Sequence, residues 1–291
     1  VDVDVIFKDK SEARKNSPRM AIIASPSSFH LQDAEIFLTQ DIPVLIEKPI
    51  TDSINKLSSF KKTLQLKKDL IEIGYNYRYS CSLIKFREII QEKDLLGDLF
   101  SVHIEVGQYL PQWRANKDYT RSVSANKKLG GGALLELSHE LDYLLWIFGD
   151  FESVYCRAIN SGKLKIDVED LVDALFVNKT GLVVHFHSDF LQKSPTRFCK
   201  VKGEEGTLTL NLLDSSITFE DNEGRKRIIF CELNYDRNKM YLDMMKRFYK
   251  LAKGDLKPLI TLEEAKKVVS LVESMKLSSF QQEVISLAGD N

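Results

Sequence analysis

Residues 20–49 read MAIIASPSSFHLQDAEIFLTQDIPVLIEKP, and the type of fold is decided in this stretch. MAIIAS, Met20–Ser25, is a short unbroken apolar run, HLQDAEIFLTQ, His30–Gln40, predicts a helix, and PVLIEK, Pro43–Lys48, is a second unbroken run. The rhythm continues with a predicted helix in SINKLSSFKKTLQLKK, Ser53–Lys68, and a third strand in DLIEIGYN, Asp69–Asn76. Strands that are apolar without alternation are buried on both faces, as in a parallel sheet covered by helices. This part reads as an α/β doubly wound unit, and an amphipathic helix from about Ser82 to Lys93, ending near Gly97, leads out of it.

Beyond that helix the period changes. In FSVHIEVGQY, Val102, Ile104 and Val106 alternate with Ser101, His103 and Glu105; in LVVHFHSDF, Leu182, Val184, Phe186 and Phe190 alternate with Val183, His185, His187 and Asp189. Alternation gives a sheet with one wet face, most easily antiparallel. Further strands are predicted at SVYCRA, LVDALFVN, FCKVKG, TLTLNL, SITFE and RIIFC, with a turn at Asp221-Asn222-Glu223-Gly224 between the last two. The chain then returns to helix, with Thr261 and Glu264 as a capping box ahead of Val268, Leu271, Val272 and Met275. The expected fold class is α/β: a parallel-sheet domain over residues 1–78, and an α+β domain with a large, mainly antiparallel open sheet over residues 79–291, its last helices free to pack on the first domain.

Composition narrows the function. The chain has 291 residues, 43% hydrophobic and 29% charged, with 41 Lys and Arg against 42 Asp and Glu. That balance gives no reason to expect a nucleic-acid partner or a membrane surface. No apolar run approaches a membrane span, and the charged start VDVDVIFKDKSEARKN does not read as a signal peptide. Cys81, Cys156, Cys199 and Cys231 form no C-x-x-C pair, so neither a metal site nor a disulfide framework is expected and a cytoplasmic protein is.

Three segments carry chemistry. ASPSSFH, Ala24–His30, lies where a buried strand gives way to a helix, the place where parallel sheets touch ligands; the plainer alternative is a helix start capped by Ser27 or Ser28. IEKP, Ile46–Pro49, puts a lysine at the end of the next strand, where it serves as proton donor or electrostatic clamp unless it is only a solvated strand boundary. GGGALLELSHELDYLLWIFG, Gly130–Gly149, projects Leu134, Leu137, Leu141, Leu144, Leu145 and Phe148 onto one helical face and Glu136, His139, Asp142 and Tyr143 onto the other. An imidazole titrates near neutrality, and one flanked at i−3 and i+3 by carboxylates suits proton transfer. Three glycines before it permit a close backbone approach.

In this order and spacing the three segments resemble the glucose-fructose oxidoreductase, inositol dehydrogenase and rhizopine catabolism (Gfo/Idh/MocA) family, and GYNYRYS, Gly74–Ser80, is similar to the segment that closes the family's cofactor domain. The resemblance covers most of the chain. It implies an amino-terminal Rossmann domain binding NAD or NADP, a carboxyl-terminal domain whose open sheet supports a homodimer or homotetramer, and a pyranose or cyclitol substrate oxidised or reduced at a ring hydroxyl. By the same pattern Lys48 contacts the substrate hydroxyl and the nicotinamide region, His139 is the general acid/base, and Ser25, Pro26, Ser28, His30, Glu47 and Pro49 line the cofactor. Glu136, three residues before the histidine where the family commonly has an aspartate four before, or Asp142, assists it.

One departure is larger. The family begins with a strand, a G-x-G-x-x-G turn and a helix, yet no glycine occurs in residues 1–19. VDVDVIF is then read as the family's second strand, with Lys8 near the position that selects NAD or NADP. Either a segment precedes Val1, or the chain is a non-catalytic, sugar-binding relative that has lost dinucleotide binding; a different cofactor mode has no residue in its favour.

GQYLPQWRANKDYTRSVSANKKLGGG, Gly107–Gly132, is loop-like and carries Trp113, Arg114, Tyr119, Arg121, Lys127 and Lys128. An aromatic ring among cations stacks on a sugar and neutralises a phosphate or carboxylate, unless the segment is an ordinary solvated loop. Trp113, Arg114 and Tyr119, with Tyr77, Arg78 and Tyr143, are the expected substrate contacts. The loop is similar to that of family members in modified-sugar pathways for cell-surface glycans, which implies a sugar nucleotide or acidic amino sugar.

Overall fold

The computed structural model describes residues 5–114 and 116–287, arranged as two compact units. One comprises the chain through Tyr75 together with Leu242–Val269; the other comprises Asn76–Tyr241 together with the residues from Ser270.

The first unit opens with α1 (Lys10–Lys15), whose first turn is capped by the Asp9 carboxylate accepting from the Ser11 N–H. Then come β1 (Ala21–Ile23), α2 (His30–Leu38), β2 (Val44–Ile46), α3 (Ile54–Ser59), α4 (Lys61–Leu66) and β3 (Ile71–Ile73). The strands form a parallel sheet in the order β1-β2-β3, with Ile22 opposite Leu45 and Leu45 opposite Glu72. Unbroken apolar runs are buried as expected in β2 and β3, but Ile22 of β1 is 49% exposed. Of VDVDVIF, expected as a strand, the first four residues lie outside those described, and Val5, Ile6 and Phe7 are exposed and belong to no strand. The single helix predicted over Ser53–Lys68 is two, broken at Phe60, because the Ser58 and Ser59 hydroxyls donate back to the Ile54 and Asn55 carbonyls and compete with the helical ladder. Glu72, fully buried on β3, accepts from the backbone N–H groups of Leu259 and Ile260 and so ties the carboxyl-terminal part of this unit to its sheet.

The second unit begins with α5 (Cys81–Glu92), capped by Ser80, and β4 (Leu99–Gly107). A long connection follows, then α6 (Ala133–Glu136), α7 (His139–Phe148), and the strands β5 (Ser153–Ile159), β6 (Leu171–Val177), β7 (Val183–Asp189), β8 (Thr196–Gly203), β9 (Gly206–Asn211), β10 (Ser216–Asp221) and β11 (Lys226–Cys231). Helices α8 (Asn238–Ala252) and α9 (Leu262–Gln281) contribute to both units, and β12 (Ile285–Ser286) ends the described chain.

The nine strands stand in the order β11-β10-β9-β8-β4-β7-β6-β5-β12 and are antiparallel except for the β4–β7 pair. Val102, Ile104 and Val106 of β4 and Val184 and Phe186 of β7 are buried on one face, as alternation requires. The Thr261–Glu264 capping box is formed reciprocally: Thr261 N–H donates to Glu264 and Glu264 N–H to Thr261 Oγ1. Among the described residues no helix is long and apolar enough to cross a membrane.

Candidate active site

In the first unit the ends of the three parallel strands are stitched into one rim. Past β1 the chain runs Ala24-Ser25-Pro26, past β2 Glu47-Lys48-Pro49, and past β3 Gly74-Tyr75. The Glu47 N–H donates to the Ile23 carbonyl at 2.9 Å and the Gly74 N–H to the Ile46 carbonyl at 2.8 Å. His30, 1% exposed, joins the first two ends: Nδ1 lies 2.8 Å from the Pro49 carbonyl oxygen and Nε2 2.7 Å from that of Ser25. Burial lowers the His30 pKa below its ordinary value. Gly74 lies close to the neighbouring strand end, where a Cβ would stand 3.2 Å from Glu47 Cα, a tight contact.

The plainer alternative for this turn, a helix start capped by Ser27 or Ser28, is not what forms. The turn Ser27–Phe29 and α2 have Pro26 and Phe29 at their N-cap positions, without side-chain hydrogen bonds. Ser25 Oγ instead donates to Asp33 Oδ2 at 2.6 Å, while Ser28 Oγ is buried with no hydrogen-bond partner. An orphaned hydroxyl beside the carboxyl ends of parallel strands fits a polar ligand at this rim, the usual place for a dinucleotide. Lys48 and Glu47 are half-buried there.

In the second unit the segment 130–149 is two helices, with a break at Leu137 and Ser138. Its glycines do what the sequence implied: a Cβ on Gly131 would stand 2.4 Å from the Val123 carbonyl oxygen, and Gly132 (φ +107°) faces the Glu169 carboxylate. Glu169 Oε1 in turn accepts from the Leu134 N–H at the start of α6. Glu136 and His139 are half-buried, but Asp142 and Tyr143 are 1% and 0% exposed.

Burial of the polar stripe is made possible by arginines. Asp142 accepts from Arg78 Nε at 2.8 Å and Nη2 at 2.9 Å, and the Arg78 guanidinium lies 4.6 Å from the Trp146 ring centre. Arg78, expected among substrate contacts, is 5% exposed and closed into this pair. Glu140, also fully buried, accepts from Arg197 Nε at 2.8 Å and Nη2 at 3.0 Å. Arg197 also donates to the Tyr77 hydroxyl, and the Tyr77 ring meets the His139 ring edge-on, 5.1 Å between centroids. Tyr143 is packed in the same interior, and burial raises its pKa well above the ordinary value.

Neither Glu140 nor Arg197 was singled out in the sequence. Glu140 adjoins the histidine and is a carboxylate on a helix face otherwise buried, which was a usable signal; Arg197 lies 57 positions from its partner and gave none.

The connection between β4 and α6 forms an open-sided cavity of about 380 Å³, lined by Trp113, Arg114, Lys117, Tyr119, Arg121 and Ser124 among others. Trp113, Arg114 and Tyr119 thus share one cavity. Trp113 Nε1 donates to the Gln108 carbonyl and its ring packs edge-on against Phe190, 5.1 Å between centroids, while the Tyr119 hydroxyl accepts from the Lys165 N–H.

Comparison with known proteins agrees with this architecture. Residues 2–75 match the family described as oxidoreductase family, NAD-binding Rossmann fold, and residues 83–209 match the GFO/IDH/MocA C-terminal domain. The chain is 31% identical over 156 residues to glucose-6-phosphate 3-dehydrogenase of Bacillus subtilis (strain 168), covering 52% of this chain and 44% of that protein. It spans about half the length of the first curated relatives it matches. Among solved structures, levoglucosan dehydrogenase in complex with NADH and levoglucosan superposes with a TM-score of 0.81 at 16% identity, covering 97% of this chain and 84% of that one. An inositol dehydrogenase homolog complexed with NAD+ from Azotobacter vinelandii gives 0.77 at 15% identity, covering 96% and 82%.

Proposed function

Because this chain belongs to the GFO/IDH/MocA oxidoreductase family, we propose that it is an NAD(P)-dependent dehydrogenase acting on a ring CH–OH of a sugar, sugar nucleotide or cyclitol. The observation that carries the reading is the Glu47-Lys48-Pro49 turn closing the central parallel strand, bound through His30 to Ser25 at the end of its neighbour. A lysine on such a rim is where an open parallel sheet presents chemistry to a ligand.

Ser25, Pro26, Ser28, His30, Glu47, Lys48 and Pro49 are the residues to hold the dinucleotide. When bound, the nicotinamide supplies the redox chemistry, exchanging a hydride with the ring carbon. His139 takes the hydroxyl proton in oxidation and returns it in reduction, and the Lys48 ammonium stabilises the alkoxide as it develops. Glu136 and Asp142 support the imidazole, Asp142 as the anchor of Arg78. Trp113, Arg114 and Tyr119 are assigned to the substrate; Tyr77 and Tyr143, expected among its contacts, are 2% and 0% exposed and back the site from the interior, with Arg78 fixing the segment that bears Tyr77. The protein acts in the cytoplasm as a homodimer or homotetramer, in the modification of sugars for surface glycans.

The test is titration of NADH fluorescence together with nicotinamide-linked turnover on glucose 6-phosphate, levoglucosan and myo-inositol. Saturable NADH binding with turnover of a ring alcohol is expected. Sugar binding without any nicotinamide binding would identify a non-catalytic relative and overturn the assignment.

A further inference from the structure

We propose that the cavity inside the β4–α6 connection is an anion subsite that takes the phosphate or carboxylate of a charged monosaccharide, with Trp113 beside the sugar ring. The inference rests on the sugar-dehydrogenase reading only for the identity of the molecule that carries the anion; the site itself stands on its own residues.

Arg114, Lys117 and Arg121 all line the cavity, and its lining contains one carboxylate, Asp118. That carboxylate is already engaged. Asp118 Oδ1 accepts from the Thr120 N–H at 3.0 Å and the Thr120 hydroxyl at 2.7 Å, and its other oxygen lies 3.6 Å from Arg121 Nε. Arg114 and Lys117 have no ion-pair partner among the described residues. Both side chains are exposed and screened by water and salt, and what they offer an anion at this cavity is charge-assisted hydrogen bonding that is strongest at low ionic strength.

The rest of the lining suits a sugar. Trp113 is half-buried and cannot swing freely, because its indole N–H is bonded to the Gln108 carbonyl and its edge is fixed on Phe190. Leu110 and Pro111 add an apolar wall, and Ser122 and Ser124 add hydroxyl-bearing side chains. A volume of about 380 Å³ is at the lower end of ligand pockets, which run from about 300 to 1,000 Å³, and so favours a monosaccharide over a larger glycan. All these residues belong to the second unit.

The experiment is isothermal titration calorimetry at low ionic strength with D-glucose 6-phosphate, D-glucuronate and D-glucose. The expected result is saturable binding of at least one anionic sugar, none of glucose at the same concentrations, and about tenfold or greater weakening in Arg114→Gln/Lys117→Gln. Lys202→Gln, an exposed lysine on β8, should leave the affinity unchanged. Preference for glucose 6-phosphate assigns the subsite to phosphate; equal or tighter glucuronate binding assigns it to carboxylate; either supports the proposal. Equal binding of glucose, no binding of either anion, or full affinity in the double variant overturns it. NADH titration of the wild-type protein separates the two claims: no NADH binding would sink the dehydrogenase reading and leave the calorimetric result standing.

Discussion

The Arg197 guanidinium lies 4.5 Å from the centre of the Tyr77 ring while holding the Tyr77 hydroxyl, and its Nε and Nη2 are bonded to the buried Glu140 carboxylate. Tyr77 in turn sets its ring against His139. The proposed acid/base therefore leans on an aromatic ring that an internal ion pair holds in place.

Replacing Arg197 by Met strands the Glu140 charge in the interior, and breaking a buried pair in this way costs about 3–5 kcal/mol. The paired change Glu140→Met/Arg197→Met removes both charges and should be much milder. Urea denaturation of the two variants checks this; equal losses of stability would mean that the ion pair is not the reason Arg197 matters.

Gly131 should not tolerate alanine. Its Cβ would meet two backbone carbonyls, Val123 O at 2.4 Å and Ser124 O at 2.7 Å, which cannot rotate aside. Gly181 has φ +84° but open space around it, so Gly181→Ala carries only the left-handed penalty of about 1–2 kcal/mol. Gly131→Ala should cost more than Gly181→Ala and should accelerate amide hydrogen exchange in residues 122–132. A Gly131→Ala protein with unchanged exchange there would contradict the tight packing.

Stability should also depend on pH through His187. Its Nδ1 lies 2.7 Å from Asp173 on β6 and its Nε2 3.0 Å from Asp189, with Glu105 opposite it on β4. The hydrogen bond to Asp189 is the main cause that pushes its pKa from 6.5 to about 9, with Asp173 adding to it against burial. The folded-state value is the higher one, so the stabilisation is complete below about pH 6.5 and is lost as pH rises through about 9. Thermal melts across that window should fall, and His187→Gln should flatten the decline. An undiminished decline in the variant would assign it to other groups.

Much of this was readable from the chain alone, and the limits have physical causes. Continuous apolar runs at Val44–Ile46 and Ile71–Ile73 and strict alternation in β4 and β7 are local signals of burial on two faces or one, and they make these strands legible. α8 was not read, although Met240, Met244, Phe248 and Leu251 recur at helical spacing and are buried. β12 has two residues, too few for any period. The parallel β4–β7 pairing joins strands separated by more than seventy residues and leaves no mark in either. The rim residues and His139 could be singled out because strand ends and helix faces have local signatures. The Arg78–Asp142 and Arg197–Glu140 pairs could not, since a buried ion pair is made by tertiary packing of partners 64 and 57 positions apart.

The central claim is that Lys48 and His139 carry the chemistry, and the direct measurement is nicotinamide-linked turnover by Lys48→Ala and His139→Ala on the best wild-type substrate among glucose 6-phosphate, levoglucosan and myo-inositol. Each variant should lose about a hundredfold or more in rate, since each removes either the charge that stabilises the alkoxide or the group that moves its proton. NADH affinity of His139→Ala should stay at the wild-type value. Wild-type turnover in either variant would contradict the account.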